Sequence, residues 1–209
     1  MKDKNKKVVE IYDQIAEQYA ANYDQIDGEE DLIFPRTFLS YLRPKSRILD
    51  IGCGTGFSVG WFIENGMEAE GIDLSSSMIK IAKRNYPQTF FQLADMRTFK
   101  PSERPDAVWA GYTLFHLEQE DFEKTLDNIR SYLKKDSVFA LVMQEGSGEV
   151  EIPEPFKPDE KTYIHLYTLD ELSEILKKHG FEVLEHKRKS PIHPNELNFN
   201  KLLLITRRR

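Results

Sequence analysis

The stretch Ile48-Leu-Asp-Ile-Gly-Cys-Gly-Thr-Gly56 decides how the rest of the chain is read. A short apolar strand, Arg47 to Ile51, runs into three alternating glycines, and a helix reaching Trp61 follows. Glycine at 52, 54 and 56 removes side chains from the turn, so the backbone can take positive φ and approach a ligand closely. A tight strand–helix turn with no ligand satisfies the same pattern. A dinucleotide fingerprint needs Gly-x-Gly-x-x-Gly, and here the third glycine falls one residue early, with Phe57 at the expected position. That spacing counts against a nicotinamide cofactor.

Asp73 closes the next apolar stretch, Glu70-Gly-Ile-Asp-Leu-Ser75, about where a second strand ends. In nucleoside-binding α/β folds an acid at this place accepts hydrogen bonds from ribose hydroxyls, and an ionised acceptor makes the stronger bond. Capping the helix that begins near Ser75 is the alternative role for the same aspartate.

Outward from the turn, strands and helices alternate. Strands are expected at Glu68 to Ile72, Thr89 to Leu93, Asp106 to Ala110 and Ser137 to Met143, with helices at Ser76 to Arg84 and Phe122 to Leu133. Such alternation implies an α/β fold, a doubly wound parallel sheet covered on both faces. Upstream, Val8, Tyr12, Ile15, Ala16, Tyr19 and Tyr23 recur at helical spacing. A second helix is expected from Glu30 to Leu42, interrupted near Pro35, and Pro44 marks a break. Residues 1–43 thus read as an N-terminal helical cap on a single domain spanning 1–209. Gly146 to Pro158 holds three prolines, two glycines and many acids, so 145–167 reads as a lid-like loop. Thr168 and Glu171 form a capping box for a helix that Gly180 ends. Phe181 to Arg188 and Phe199 to Thr206 are then two strands on a short Pro-rich loop, too short for a parallel crossover, so they pair antiparallel.

With 40% apolar and 31% charged residues in 209, the composition is that of a globular protein able to bury roughly two-thirds of its unfolded surface. No apolar run nears the ~20 residues of a membrane span, and the N-terminus lacks the apolar core of a secretory signal, so a cytoplasmic location is expected. A single cysteine, Cys53, excludes an intrachain disulfide and a cysteine-based metal cluster. The net charge of −6 argues against a nucleic-acid footprint. The basic clusters Lys187-Arg188-Lys189 and Arg207-Arg208-Arg209 read as a solvated strand end and a frayed terminus.

Leu-Asp-Ile-Gly-Cys-Gly-Thr-Gly followed by Gly-Ile-Asp-Leu-Ser resembles the first two motifs of class I S-adenosylmethionine-dependent methyltransferases, and the resemblance runs from about Val8 to Arg207. It implies a Rossmann-like seven-stranded sheet of order 3-2-1-4-5-7-6 with strand 7 antiparallel, S-adenosylmethionine as cofactor and S-adenosylhomocysteine as product. By the same resemblance Gly52, Cys53 and Gly54 would line the methionine part, with Asp50 behind them toward its amino group. Asp73 would hold the ribose, Leu74 and Met78 would pack near the adenine, and Asp95 and Met96 would contact its amino group and ring. Ala110 to Tyr112 would edge the cofactor. Tyr12 and Tyr19, seven residues apart on one helical face, would close the site over the sulfonium by cation–π attraction, unless that stripe is ordinary core.

The acceptor side is less specific. The chain lacks the Asn/Asp-Pro-Pro-Tyr string of amino-methylating DNA enzymes, and its one cysteine sits in the cofactor turn; both count against DNA base methylation. His116, just beyond the fourth strand, is the candidate general base, with packing against the next helix as the alternative. Tyr163, His165 and Tyr167 alternate, which places them on one face of an extended segment. Either they line the substrate side or they form a plain edge strand. The expected function is methyl transfer to a small-molecule acceptor at O, N or C, by a monomer or homodimer with no metal. An RNA-modifying methyltransferase and a non-catalytic cofactor-binding protein are the alternatives.

Overall fold

The computed structural model describes residues 3–25, 28–191 and 196–209. Two helices, α1 (Asp3–Tyr23) and α2 (Glu29–Ser40), precede the alternating part. That part runs β1 (Arg47–Ile51), α3 (Phe57–Glu64), β2 (Glu68–Asp73), α4 (Ser76–Asn85), β3 (Phe91–Leu93) and β4 (Ala107–Ala110). A 3-10 turn (Leu114–His116) leads to α5 (Gln119–Tyr132) and β5 (Val138–Gln144). Then come β6 (Gly148–Glu154), β7 (Lys157–Leu166), α6 (Leu169–Lys178), β8 (Phe181–Lys189) and β9 (Lys201–Arg208).

Seven strands form one sheet in the order β3-β2-β1-β4-β5-β9-β8, with β9 antiparallel to both its neighbours. This is the expected topology, with β8 and β9 as the sixth and seventh strands. The central strands are apolar because both faces are covered. Leu49, Ile51, Phe139 and Leu141 join the core under α5 and α6, while Ile48, Ala140 and Val142 join a second core under α2 and α3. The period-two alternation of a strand separates the two sets. Thr168 and Glu171 do form the capping box of α6, and Gly180 follows it at φ +81°.

Two expectations change. Residues 148–166 are not a loop: β6 and β7 pair antiparallel as a separate ribbon, with a register shift at Pro153/Glu154. A ribbon with free edges tolerates proline where a central strand would not. Pro35 lies inside α2 without ending it, and the buried rings of Phe34 and Phe38 hold that helix to the sheet. Part of the Pro-rich connection before β9 lies outside the described residues. Among those described, no helix is long and apolar enough to cross a membrane.

Helix α1 lies across α4. Asp13 Oδ1 accepts from Ser75 Oγ at 2.6 Å and from the Ser77 amide at 2.9 Å, meeting the donors at the start of α4. These bonds fix the aromatic stripe of α1 over the C-terminal ends of the strands.

Candidate active site

The glycine turn has a different physical demand at each glycine. All three take positive φ: +72° at Gly52, +51° at Gly54 and +84° at Gly56. A Cβ on Gly52 would lie 2.1 Å from Thr113 Oγ1, so that position is a close approach between two loops. A Cβ on Gly56 would meet Phe91 and Ala82, so it is a packing contact. A Cβ on Gly54 would meet nothing within 4 Å among the described residues, because that position faces a cavity.

Asp73 ties this turn to the end of β2. Its Oδ2 accepts from the Gly54 amide at 2.9 Å and its Oδ1 from the Ser75 amide at 2.8 Å. The cap of α4 is Ser75, whose Oγ accepts from the Met78 amide, so capping is not the role of Asp73. Burial raises the Asp73 carboxyl above its usual value, and the backbone N–H groups oppose the shift.

Two cavities meet at the turn. The smaller, about 120 Å³, is lined by Asp73, Leu74, Met78, Asp95 and Met96, five residues expected at the cofactor, and also by His116. The larger, about 300 Å³, takes in Asp50 and Cys53 and extends between α2, α3 and the sheet, past Phe34, Trp61 and Trp109. Tyr12, Tyr19, Gly52, Gly54, Gly111 and Tyr112 line both and so mark the junction. Ala110 lines neither, because its side chain points into the core of the sheet; the edge is made by Gly111 and Tyr112. Tyr112 adopts φ +59°, costly for a residue with a Cβ, and the residue is 40% exposed.

The charged groups have distinct environments. Asp50 is 2% exposed and its Oδ1 has no hydrogen-bond partner among the described residues; burial, then the charge of Asp73, raises its carboxyl well above the usual range. Asp95 is gripped by Arg97, with Nε to Oδ1 at 2.9 Å and Nη2 to Oδ2 at 2.6 Å, while Arg97 Nη1 reaches Asp121. Burial alone would raise Asp95, but the guanidinium bonds prevail and hold it below its usual value. The thiol of Cys53 packs toward Gly71 and Phe91, and burial raises it well above its ordinary value, so it is no nucleophile.

Along α1 the rings of Tyr12, Tyr19 and Tyr23 form a ladder, with centroids 5.9 and 4.7 Å apart, which continues to Phe156 in the turn between β6 and β7. His116 stands at the foot of this ladder. Its Nδ1 lies 2.9 Å from the Tyr163 carbonyl and its Nε2 lies 3.1 Å from the Tyr12 hydroxyl. A carbonyl only accepts, so Nδ1 carries the hydrogen and Nε2 accepts from Tyr12. Burial lowers His116 to about 4, so near neutral pH it is uncharged with both ring nitrogens engaged. The geometry suits a positioning residue rather than a free base.

Tyr163, His165 and Tyr167 line neither cavity. The rings of His165 and Tyr167 stack at 4.3 Å, and Lys4 covers the ring of Tyr163, so this face packs against the start of α1. Only the Glu154-Pro155 end of the ribbon reaches the larger cavity. Sequence reasoning missed Glu154, Trp109, Lys189 and Lys201. For Glu154 a signal existed: it continues the inward positions of Val150 and Ile152, an acid where the alternation calls for an apolar residue.

Comparison with known proteins agrees with this geometry. The family model described as "Methyltransferase domain" matches residues 26–186. The trans-aconitate 2-methyltransferase of Rhizobium etli is 30% identical over 138 residues, covering 64% of this chain and 51% of that protein. The dTDP-3-amino-3,6-dideoxy-alpha-D-glucopyranose N,N-dimethyltransferase of Streptomyces fradiae is 26% identical over 142 residues, covering 66% of this chain and 54% of that protein. The chain thus spans about half the length of these curated relatives. Among solved structures, the Burkholderia thailandensis 1,6-didemethyltoxoflavin-N1-methyltransferase, crystallised with bound 1,6-didemethyltoxoflavin and S-adenosylhomocysteine, superposes with a TM-score of 0.72 at 18% identity. The match covers 96% of this chain and 87% of that one. With most of its length matched by the family model and its strand order that of the fold, this chain belongs to the methyltransferase-domain family.

Proposed function

We propose that the protein transfers a methyl group from S-adenosylmethionine to a small-molecule acceptor. The observation that carries this reading is the junction: a cavity bounded by Asp73, Leu74 and Met96 opens past Gly54 and Tyr112 into a second, larger cavity. Two features fit the cofactor. The void beside Gly54 admits a ligand against bare backbone, and Asp50 Oδ1, buried without a partner among the described residues, suits a ligand ammonium.

When bound, the cofactor would supply a methyl group made electrophilic by its sulfonium. Asp73 would accept ribose hydroxyls with the lone pairs that the Gly54 and Ser75 amides leave, and Leu74, Met78 and Met96 would flank the adenine. Asp95, oriented by Arg97, would offer the adenine amino group its remaining acceptor direction. In-line displacement depends on alignment and on exclusion of water. Helices α1 and α2 and the tip of the β6–β7 ribbon serve here as the covering cap and lid. His116 holds Tyr12 in place at the junction. The basic clusters favour a small acceptor over RNA, because Arg188 pairs with Glu145, Lys189 with Asp31 and Arg209 with Glu182.

Isothermal calorimetry should show S-adenosylmethionine and S-adenosylhomocysteine binding at micromolar affinity or better and no heat with NAD; tight NAD binding with no response to either adenosyl ligand would overturn the reading. Asp73→Ala should weaken cofactor binding by on the order of 1.5–3 kcal/mol, since ribose hydroxyls lose a charged acceptor. It should also lower stability by about 1–3 kcal/mol, because the Gly54 and Ser75 amides lose their partner. Unchanged affinity in that variant would remove Asp73 from the site.

A further inference from the structure

We propose that the larger cavity receives its acceptor as an ammonium ion held by the Glu154 carboxylate beside the tyrosines of α1, making the protein an amine N-methyltransferase; this rests on the methyl-transfer reading above. The argument begins with the charges around the cavity. Setting aside Asp50, the described residues of its lining carry Asp24, Glu30, Asp31, Glu154 and Glu196 against two ammonium groups, Lys189 and Lys201. Both lysines are already neutralised, Lys189 by Asp31 at 2.5 Å and Lys201 by Glu196 at 2.7 Å. The remaining balance is acidic. An anionic acceptor would therefore enter a chamber of its own sign, whose two cations are occupied.

Glu154 is the acid best placed to use that balance. It is 5% exposed, it lines the cavity, and among the described residues no Lys, Arg or His pairs with it. A carboxylate removed from water without a cation is costly, and that cost is relieved when a cation arrives. Its charge is felt by Tyr12, Tyr19 and Tyr23, whose hydroxyls are raised first by burial and then in part by Glu154. Two of those tyrosines line the junction, so a group held by Glu154 sits near the point of methyl delivery. Rings attract a cation by their quadrupole, and this cavity is walled by Tyr19, Tyr23, Phe34, Trp61, Trp109 and Tyr112. On the floor, Gln144 Oε1 is buried with no hydrogen-bond partner among the described residues, offering a further acceptor to an N–H donor.

An ammonium has no lone pair, so it must first lose a proton. The N–H bond breaks, its electron pair stays on nitrogen, and the proton forms an O–H bond with Glu154, leaving a neutral amine and a neutral acid. Burial raises the Glu154 carboxyl and would lower an ammonium beside it, which narrows the gap that the proton must cross.

The test uses matched aryl fragments that differ in one group: 2-phenylethylamine, 2-phenylethanol and 3-phenylpropionate, together with their naphthyl counterparts. Dissociation constants are read by ligand-observed NMR on the intact chain. The amines are expected to bind at least 10-fold tighter than the carboxylates. Glu154→Gln, and Glu154→Leu which restores the apolar alternation of β6, should each erase about 10-fold of that preference while leaving S-adenosylhomocysteine affinity unchanged. Equal or tighter carboxylate binding, amine affinity unchanged in both folded variants, or no binding by any amine overturns the proposal. Failure of the methyl-transfer reading would register separately, as absent binding of either adenosyl ligand.

Discussion

Gly52→Ala is expected to destabilise the protein by about 2–5 kcal/mol, whereas Gly54→Ala should cost only about 1–2 kcal/mol and lose the cofactor instead. Both positions take positive φ, which a Cβ makes unfavourable by about 1–2 kcal/mol. What differs is the space. At Gly52 the new Cβ would sit 2.1 Å from Thr113 Oγ1, 2.5 Å from its Cβ and 2.8 Å from its Cγ2. Thr113 opens the 3-10 turn, so relieving the overlap pushes on Leu114 and His116 and adds about 1–3 kcal/mol of overpacking. At Gly54 the methyl would enter open cavity, and the fold is spared. Chemical denaturation and S-adenosylhomocysteine titration of the two variants separate these effects. Equal stability losses would show that the turn is uniformly strained, and normal ligand binding by Gly54→Ala would place the cofactor elsewhere.

The legible part of the molecule is the part where local chemistry and global fold agree. The three glycines after the apolar strand do take positive φ, Asp73 does end β2, where it accepts from the Gly54 amide, and Thr168 with Glu171 does form the capping box. The β6–β7 ribbon was not legible, because Pro153, Pro155 and Pro158 among acids are also what a loop looks like. The alternation Val150, Ile152, Glu154 was the competing signal, and only pairing with β7 gives it meaning. Tyr163, His165 and Tyr167 do share a face, but a face has no address in sequence. Packing decides that it meets the start of α1. The walls of the larger cavity were hidden for a similar reason. Phe34, Trp61 and Trp109 come from α2, α3 and β4, and only the topology brings them together.

His116 shows how position alone misleads and what burial adds. Its place just past β4 suggests a base, yet the enclosed ring is lowered to about 4 by burial, with the bond to the Tyr163 carbonyl opposing in part. This depression has a consequence for stability. Between pH 6.5 and about 4 the unfolded chain binds a proton at this residue and the native chain does not, so stability falls as pH drops. The contribution is complete above pH 6.5, and about 3 kcal/mol of it is lost by pH 4. His116→Gln keeps a donor for the Tyr163 carbonyl and an acceptor for the Tyr12 hydroxyl but cannot titrate. Urea denaturation from pH 7.5 to 4 should therefore show the wild-type protein losing about 3 kcal/mol more than this variant across the interval. Parallel curves would mean that His116 titrates normally and is open to the cavity as a base. Divergent curves, with kcat showing no ionisation near 6.5, would fix it as the neutral support of Tyr12.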